Sequence, residues 1–319
     1  MMAAGYGGHS GYAYAVAYFL RQRGFRRNII LLAEGYEFLA EKFRGHGDVY
    51  TLVLPRRPGE GLLRTFPRWI KAFAGSARVL SSRNIGAVFA SGSNFSIPPA
   101  IAAIVMRGSA LFTIEAIEHF TTRSRSVRLL AGIGARVFLH WEEQQELFPR
   151  GVVVGPVVEP PIYEPRDEGY VLVTTGTLGH PLLFNAIDKL GLEKVVLQTG
   201  DIDPSPYQRK HTSWVVFRYT SDIHRWISGA SLVITQQGVT AAISALAYRK
   251  PTIVVWNPRV VLGAELREVE VYAEKIGAVF LERPDVPSLR RAIELAEKPR
   301  AGMRNGAEKI ARILIRELS

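Results

Sequence analysis

The sequence predicts an α/β protein made of two successive Rossmann-like halves, each a doubly wound parallel sheet. Three observations predict it. Short apolar runs alternate with amphipathic stretches along the chain, and glycine-rich turns join a run to the stretch that follows. One proline-rich segment, with Pro156, Pro160, Pro161 and Pro165, then divides the alternation in two. Such alternation argues for parallel strands with helices on both faces. A length of 319 residues, 47% apolar and 22% charged, suits two globular domains.

Taken in order, a first strand has only residues 1–4 available ahead of a glycine-rich turn. A helix follows over 13–20 and reaches Gln22. Strands are expected at 28–32 and 49–54, with a helix over 38–43 between them, and then a long helix over 62–80. Residues 85–106 form the longest uncharged stretch, of a length that invites a membrane-span reading. Ser91-Gly92-Ser93-Asn94 and Pro98-Pro99 interrupt it, and in lipid they would leave backbone groups unpaired. It therefore reads as a strand over 85–90, a loop, and a helix over 98–106. Strands at 110–114 and 135–140, with a helix over 126–133, complete the first domain, 1–156. After the linker 157–169, strands are expected at 170–174, 195–198, 214–217, 232–235, 252–255 and 278–281. Helices are expected at 182–190, 240–248, 264–276, 286–296 and 302–318. The second domain spans 170–302, and a C-terminal helix, 303–319, is free to pack back on the first.

Composition excludes several chemistries. Without cysteine there is no disulfide, thiolate metal site or cysteine nucleophile. The seven histidines are scattered, and neither a P-loop nor a nucleophile elbow occurs. No metal and no cofactor are expected. The net charge of +11 would attract nucleic acid, anionic lipid or phosphorylated ligands. No nucleic-acid recognition module accompanies it, so nucleic acid is not expected as a partner. In residues 61–83, Leu62, Leu63, Phe66, Trp69, Ile70 and Phe73 recur at helical spacing among Arg64, Arg68, Lys71, Arg78 and Arg83, with no acidic residue. This is either a helix lying in a membrane interface or a core-facing helix with a basic outer side.

Three turns and one loop could carry chemistry. Gly5-Tyr6-Gly7-Gly8-His9-Ser10-Gly11 leads into a helix without the dinucleotide spacing G-x-G-x-x-G. Its glycines permit close backbone approach, and His9 could serve as a general base. Thr174-Thr175-Gly176-Thr177-Leu178-Gly179-His180 offers hydroxyls and N–H groups to a phosphate, and Thr235-Gln236-Gln237-Gly238-Val239-Thr240 is a similar turn. Glu115 and Glu118 follow the strand over 110–114, where a base or a ligand for sugar hydroxyls belongs. Glu118 reads instead as a solvated helix face. Arg123, Arg125 and Arg128 could grip a pyrophosphate or line the surface.

In this order the pieces resemble glycosyltransferase family 28, of the GT-B fold. In the second half the matching residues are 173–177, Val196-Leu197-Gln198-Thr199-Gly200, Tyr219-Thr220-Ser221-Asp222-Ile223, 230–238 and Lys250-Pro251-Thr252-Ile253-Val254-Val255. The first half resembles the membrane-associated subunit of the eukaryotic dolichol-pathway enzyme through Gly7-Gly8-His9-Ser10-Gly11, Ser91-Gly92-Ser93 with Pro98, Ile114-Glu115-Ala116, and a strand ending at Trp141. The chain looks like both subunits fused, acceptor half first, as in archaeal lipid-linked glycan assembly and, more distantly, the MurG enzymes.

The resemblance implies two domains facing across a cleft and an inverting, metal-independent transfer of N-acetylglucosamine from UDP-N-acetylglucosamine to a sugar on a polyprenyl (dolichol-type) diphosphate. It implies His9 as base, with Glu115 as runner-up or as the group that orients the acceptor. Gly7, Gly8, Ser10, Gly92, Ser93, Arg123 and Arg125 would hold the acceptor. Gly176, Thr177, Gln198, Gly200, Gln236, Gln237, Gly238 and Thr240 would hold the donor. Phe66, Trp69, Ile70 and Phe73 would dock the protein peripherally on the cytoplasmic face of the cell membrane. A homo-oligomer is compatible with this. The chain departs from the family in three places: Gln236 replaces a histidine, Ser244 replaces the glutamate expected to hold the ribose, and residues 263–272, with Glu265, Glu268 and Glu270, replace a sugar-binding Asn/Gln segment. Two alternatives stay open: the same fold with another UDP-sugar, and a non-catalytic nucleotide-sugar-binding protein that needs a partner.

Overall fold

A computed structural model of the chain describes residues 1–57, 60–260, 263–299 and 303–318, without the side chain of Leu62. It divides into two compact units, Met1–Glu159 with Arg304–Ser319, and Pro160–Met303.

The first unit is built on a seven-stranded parallel sheet of order β3-β2-β1-β4-β5-β6-β7. Its strands are β1 (Met2–Gly5), β2 (Ile29–Ala33), β3 (Asp48–Leu52), β4 (Ala87–Ala90), β5 (Ala110–Ile114), β6 (Arg136–Leu139) and β7 (Val152–Val153). β1, β2 and β4 are buried along their whole length, as continuous apolar runs covered on both faces must be. β3, at the edge, carries exposed Asp48 and Thr51. Four helices follow strands: α1 (Gly7–Gln22), α2 (Leu62–Ser81), α3 (Ile97–Arg107) and α4 (Arg125–Gly132).

α1 begins six residues earlier than the sequence predicts. Gly7-Gly8-His9-Ser10 form its first turn rather than a loop ahead of it, and the Ser10 hydroxyl donates to the Gly7 carbonyl at 2.7 Å. Residues 37–43 form a tighter 3₁₀ helix. In α3, Pro98 and Pro99 occupy the first turn, whose N–H groups have no helical partner, and Gly108 closes the helix at φ 61°. The 85–106 segment is thus strand, loop and helix.

The second unit has a six-stranded parallel sheet of order β10-β9-β8-β11-β12-β13. Its strands are β8 (Tyr170–Thr174), β9 (Val195–Gln198), β10 (Val215–Phe217), β11 (Ala230–Gln236), β12 (Thr252–Val255) and β13 (Val279–Leu281). The helices are α5 (Pro181–Leu190), α6 (Ser205–Lys210), α7 (Ile223–Gly229), α8 (Val239–Ala242), α9 (Leu266–Lys275) and α10 (Val286–Leu295), and a wider π-type turn over Ile243–Ala247 continues α8. Val173, Leu183, Ile187, Leu197, Ile234, Ile253 and Leu289 form its core between sheet and helices. The sequence does not show α6 and α7, because six or seven residues are too few to reveal a 3.6-residue period. The last helix, α11 (Gly306–Leu318), packs on α1. Residue 302, its expected start, lies outside the described residues.

Each sheet reverses its strand order beside its first strand, at β1/β4 and at β8/β11. In such folds ligands bind beyond the strand carboxyl ends at that switch.

Candidate functional site

In the first unit the switch brings together the ends of β1, β4 and β5. The Ser91 hydroxyl donates to the carbonyls of Ala3 at 2.8 Å and Ala4 at 3.0 Å, tying the loop after β4 to β1. This aims the Ser91 carbonyl at His9 Nδ1, 2.8 Å away. A carbonyl only accepts, so Nδ1 carries the proton and Nε2 keeps its lone pair. Burial lowers the His9 pKa below the usual histidine value, while the Ser91 bond and the charges of Glu118 and Glu115 oppose that shift. His9 is therefore a neutral, half-buried imidazole near neutral pH, with a free basic nitrogen. Gly92 sits at φ 87°, and a Cβ there would lie 2.7 Å from the Ile114 carbonyl, so only glycine lets the two loops approach. Gly7 and Gly8 are exposed. Ser93 Oγ is buried without a partner among the described residues. Ser10, by contrast, spends its hydroxyl on Gly7 and is buried, which removes it from acceptor contact.

Glu115 is wholly buried, and its carboxylate is already occupied. It accepts from Ala116 N at 2.8 Å, Ser124 N at 3.1 Å, His119 Nδ1 at 3.1 Å and the Ser124 hydroxyl. Oε1 takes three of these donors and Oε2 one, and the side chain is fully buried, so the carboxylate shapes the loop over 115–124 and is not open to an acceptor hydroxyl in this arrangement, which argues against its expected part as second base. Glu118 is not on a solvated helix face: it lies in the turn between β5 and α4 and is half-buried. Arg123 and Arg125, on either side of Ser124, are exposed, and Arg123 lies over the Phe148 ring, 5.6 Å from its centroid.

Sequence reasoning missed the frame that holds this loop. His140 Nε2 donates to the Glu115 carbonyl at 3.0 Å, and its Nδ1 accepts from Val157 N at 3.0 Å. Burial pushes its pKa down to about 3, so it stays neutral. Trp141 Nε1 donates to the Ile117 carbonyl, and Gln144 Nε2 to the carbonyls of Ala116 and His119, each at 2.8 Å. These contacts go to main-chain atoms some 25 residues away in sequence, and no local pattern announces them.

In the second unit the turns after β8 and β11 meet. An added Cβ on Gly176 would lie 3.7 Å from Gln236 Nε2. Gln236 Oε1 accepts from Asn257 Nδ2 at 2.6 Å, and the same Asn257 amide donates to the Gly179 carbonyl at 3.2 Å, so Asn257 clasps both turns. Gln237 exchanges two bonds, of 2.9 and 3.0 Å, with the Asn257 main chain and is buried, so it braces the turn rather than facing a ligand. Gln198 is likewise buried, accepting from the Thr174 hydroxyl at 3.2 Å. Gly200 lies tight against the Gly176 and Thr177 carbonyls. Thr177 is exposed, and the hydroxyl of Thr175 is buried without a partner among the described residues. Gly238 adopts φ 123°, ψ −173°, a glycine conformation that opens the turn, with half-buried Thr240 just after it. Ser244 is buried and donates to the Thr240 carbonyl at 2.8 Å, so it does not stand in for a ribose-binding carboxylate. Among the described residues no group of three or more His, Asp and Glu side chains could hold a metal ion.

On α2, Leu63, Phe66 and Ile70 are exposed, at 93%, 64% and 55%. Ile70, Phe73, Ala74 and Ala77 form an open apolar groove with Ile101, Val105 and Met106 of α3. Arg64, Lys71 and Arg78 are exposed on the same helix. Trp69 departs from the expected docking set: it packs against the core, and its Nε1 is buried. No helix among the described residues is long and apolar enough to cross a membrane.

Residues 170–286 match the glycosyltransferase family 28 C-terminal domain. Over 310 residues the chain is 24% identical to the UDP-N-acetylglucosamine–N-acetylmuramyl-(pentapeptide) pyrophosphoryl-undecaprenol N-acetylglucosamine transferase of Caldicellulosiruptor saccharolyticus, covering 87% of this chain and 82% of that protein. A stretch of 121 residues, 34% of this chain, is 28% identical to 11% of the UDP-N-acetylglucosamine transferase subunit ALG13 of Homo sapiens. The fold is similar to that of Acinetobacter baumannii MurG, with a TM-score of 0.61 at 17% identity over 99% of this chain and 98% of that one. The chain is a glycosyltransferase of the GT-B type, and its second unit is a family 28 C-terminal domain.

Proposed function

We propose that this protein transfers N-acetylglucosamine from UDP-N-acetylglucosamine to a sugar carried on a polyprenyl diphosphate, with inversion and without a metal, at the membrane surface. The activity of the Caldicellulosiruptor relative supports the donor and the lipid-linked acceptor class. The observation that carries the mechanism is His9, whose Nδ1–H is fixed on the Ser91 carbonyl and whose Nε2 is left basic. In the reaction Nε2 takes the proton of the acceptor hydroxyl. That oxygen bonds to the anomeric carbon as the bond to UDP breaks. The departing diphosphate gains charge that N–H groups stabilise. We assign that part to the N–H groups of Gly176, Thr177, Gly238 and Thr240 and to the Gln236 amide. Arg123 and Arg125, exposed beside the acceptor loop, suit the acceptor's own diphosphate.

The apolar face of α2 and α3, with its basic flanks, suits an anionic membrane surface that carries the lipid acceptor. We take the lipid to be of the dolichol type. A second donor is favoured by one observation: Ser244 points its hydroxyl into its own helix, so the nucleotide is held differently than in the family pattern, and another UDP-sugar could fit. Incubation with short-chain polyprenyl-diphosphate N-acetylglucosamine and a panel of UDP-sugars, with products read by mass spectrometry, tests the proposal. Transfer from UDP-N-acetylglucosamine alone supports it. Transfer only from another donor replaces the sugar, and no transfer from any donor refutes the reading.

A further inference from the structure

The turns that follow β8, β11 and β12 are tied together through one residue. Asn257, wholly buried, stands just after β12. Its Nδ2 donates to the Gly179 carbonyl at 3.2 Å and to Gln236 Oε1 at 2.6 Å, and its Oδ1 accepts from Arg259 N at 3.1 Å. Its main chain is held by the two bonds to Gln237. The residue before it is held as well, since His180 Nε2 donates to the Trp256 carbonyl at 3.0 Å.

Hydrogen-bond complementarity in this network fixes the direction of two amides. A main-chain N–H only donates, so the Asn257 atom that faces Arg259 N is its oxygen. A carbonyl only accepts, so the atom that faces Gly179 is its nitrogen. One hydrogen of that nitrogen goes to Gly179 and the other to Gln236, whose facing atom must then be Oε1. Gln236 Nε2 keeps both of its hydrogens and makes no hydrogen bond among the described residues. It lies 3.7 Å from the position that a Cβ on Gly176 would take, and among the described residues no other atom beyond the chain neighbours of Gly176 comes within 4 Å of that position. A half-buried amide with both N–H groups unspent, beside the glycine of a strand-to-helix turn, suits a ligand oxygen that only accepts, as an ionised phosphate oxygen does.

We propose that Asn257 is a positioning residue for the donor: it holds the Gln236 amide with its nitrogen outward, so that Nε2 donates to the diphosphate of the UDP-sugar. Without Asn257 the amide is free to turn its oxygen outward, and an outward oxygen repels an anion. This deepens the proposed function and rests on its assignment of the donor diphosphate to this turn.

Two measurements test it. The first follows the side-chain amide protons by NMR in the protein alone, without nucleotide. Those on Asn257 Nδ2 should exchange slowly with solvent and those on Gln236 Nε2 fast. Fast exchange at Asn257 Nδ2, or slow exchange at Gln236 Nε2, overturns the orientation whether or not nucleotide binds. The second is calorimetric binding of UDP-N-acetylglucosamine, with uridine as the ligand that lacks phosphate. Gln236→Ala should weaken the UDP-sugar about ten- to a hundred-fold, as loss of a hydrogen bond to a charged group does, and leave uridine unchanged. Gln236→Glu keeps an oxygen for Asn257 but turns a second, charged oxygen outward, so it should lose at least as much. A Gln236 that merely braces Asn257 would instead leave Gln236→Glu near wild type, which overturns the proposal. Asn257→Ala should weaken the UDP-sugar in the wild-type background and have no further effect in Gln236→Ala; an equal effect in both backgrounds is the mark of a purely structural residue and also overturns it. Gln236→Glu decides alone where Asn257→Ala does not fold. If wild type binds no UDP-sugar and no UDP, the functional reading falls, and with it this donor role, even where the exchange pattern is as expected.

Discussion

Glu115→Gln separates a loop-building carboxylate from a catalytic one. In the native protein Oε1 takes Ala116 N, His119 Nδ1 and the Ser124 hydroxyl, and Oε2 takes Ser124 N. The amide keeps one oxygen. With that oxygen in the place of Oε1, Ser124 N faces an N–H and loses its acceptor, and the remaining bonds lose their charge assistance. One lost charged bond costs about 1.5–3 kcal/mol, and the weakened ones bring the total to roughly 2–4 kcal/mol. Because the site is fully buried, solvent does not screen the loss. Amide hydrogen exchange at Ala116 and Ser124 reads it directly, with protection expected to fall roughly 30- to 1,000-fold at 1.4 kcal/mol per decade. Turnover should drop with the loop, while the acid limb of the rate profile survives and moves to lower pH, because a charge that raises the His9 pKa is gone. Unchanged protection, with turnover abolished, would refute the structural role and restore Glu115 as a chemical participant.

Gly92→Ala should cost about 1–3 kcal/mol and most of the turnover, since the φ of 87° and the Ile114 carbonyl both oppose a Cβ; thermal unfolding and kinetics measure this. Phe66→Ser with Ile70→Ser should weaken binding to anionic vesicles at least ten-fold while changing stability by less than about 0.5 kcal/mol, because both side chains are exposed; vesicle sedimentation beside urea unfolding tests the pair. His140 carries a pH signature. Its folded pKa of about 3 lies below the unfolded 6.5, so the unfolded chain binds the extra proton as pH falls. Its contribution is complete above about pH 6.5 and is lost progressively down to about pH 3, so from pH 7.5 to 5.5 the first unit should lose about 1.4 kcal/mol. Denaturation of His140→Gln at the two pH values should show a smaller loss than wild type.

Apart from the two-residue β7, which is too short to announce itself, the strands and the switch-point turns were legible because buried parallel strands are continuous apolar runs, and because a turn that brings backbones together must be glycine-rich. Gly92 and Gly238 are examples, each with a φ that glycine favours. The start of α1 was misplaced because glycines argue against a helix; here the packed helix behind them and the Ser10–Gly7 bond outweigh that preference. Side-chain direction was the illegible part. Trp69 and Phe66 look alike in an amphipathic run, yet one enters the core and the other faces solvent. Glu115 and Glu118 are three positions apart on one loop, and only the fold decides which is filled and which is free. Gln237 and Ser244 similarly exhaust their groups on the backbone.

The most direct test of the central claim is the pH profile of single-turnover transfer from UDP-N-acetylglucosamine to short-chain polyprenyl-diphosphate N-acetylglucosamine, measured with EDTA for wild type and His9→Gln. The account predicts one added N-acetylhexosamine, undiminished by EDTA, with an acid limb below the ordinary histidine pKa that disappears along with nearly all turnover in His9→Gln while UDP affinity holds. Turnover in His9→Gln near the wild-type rate with the same acid limb, or transfer that EDTA abolishes, would contradict it.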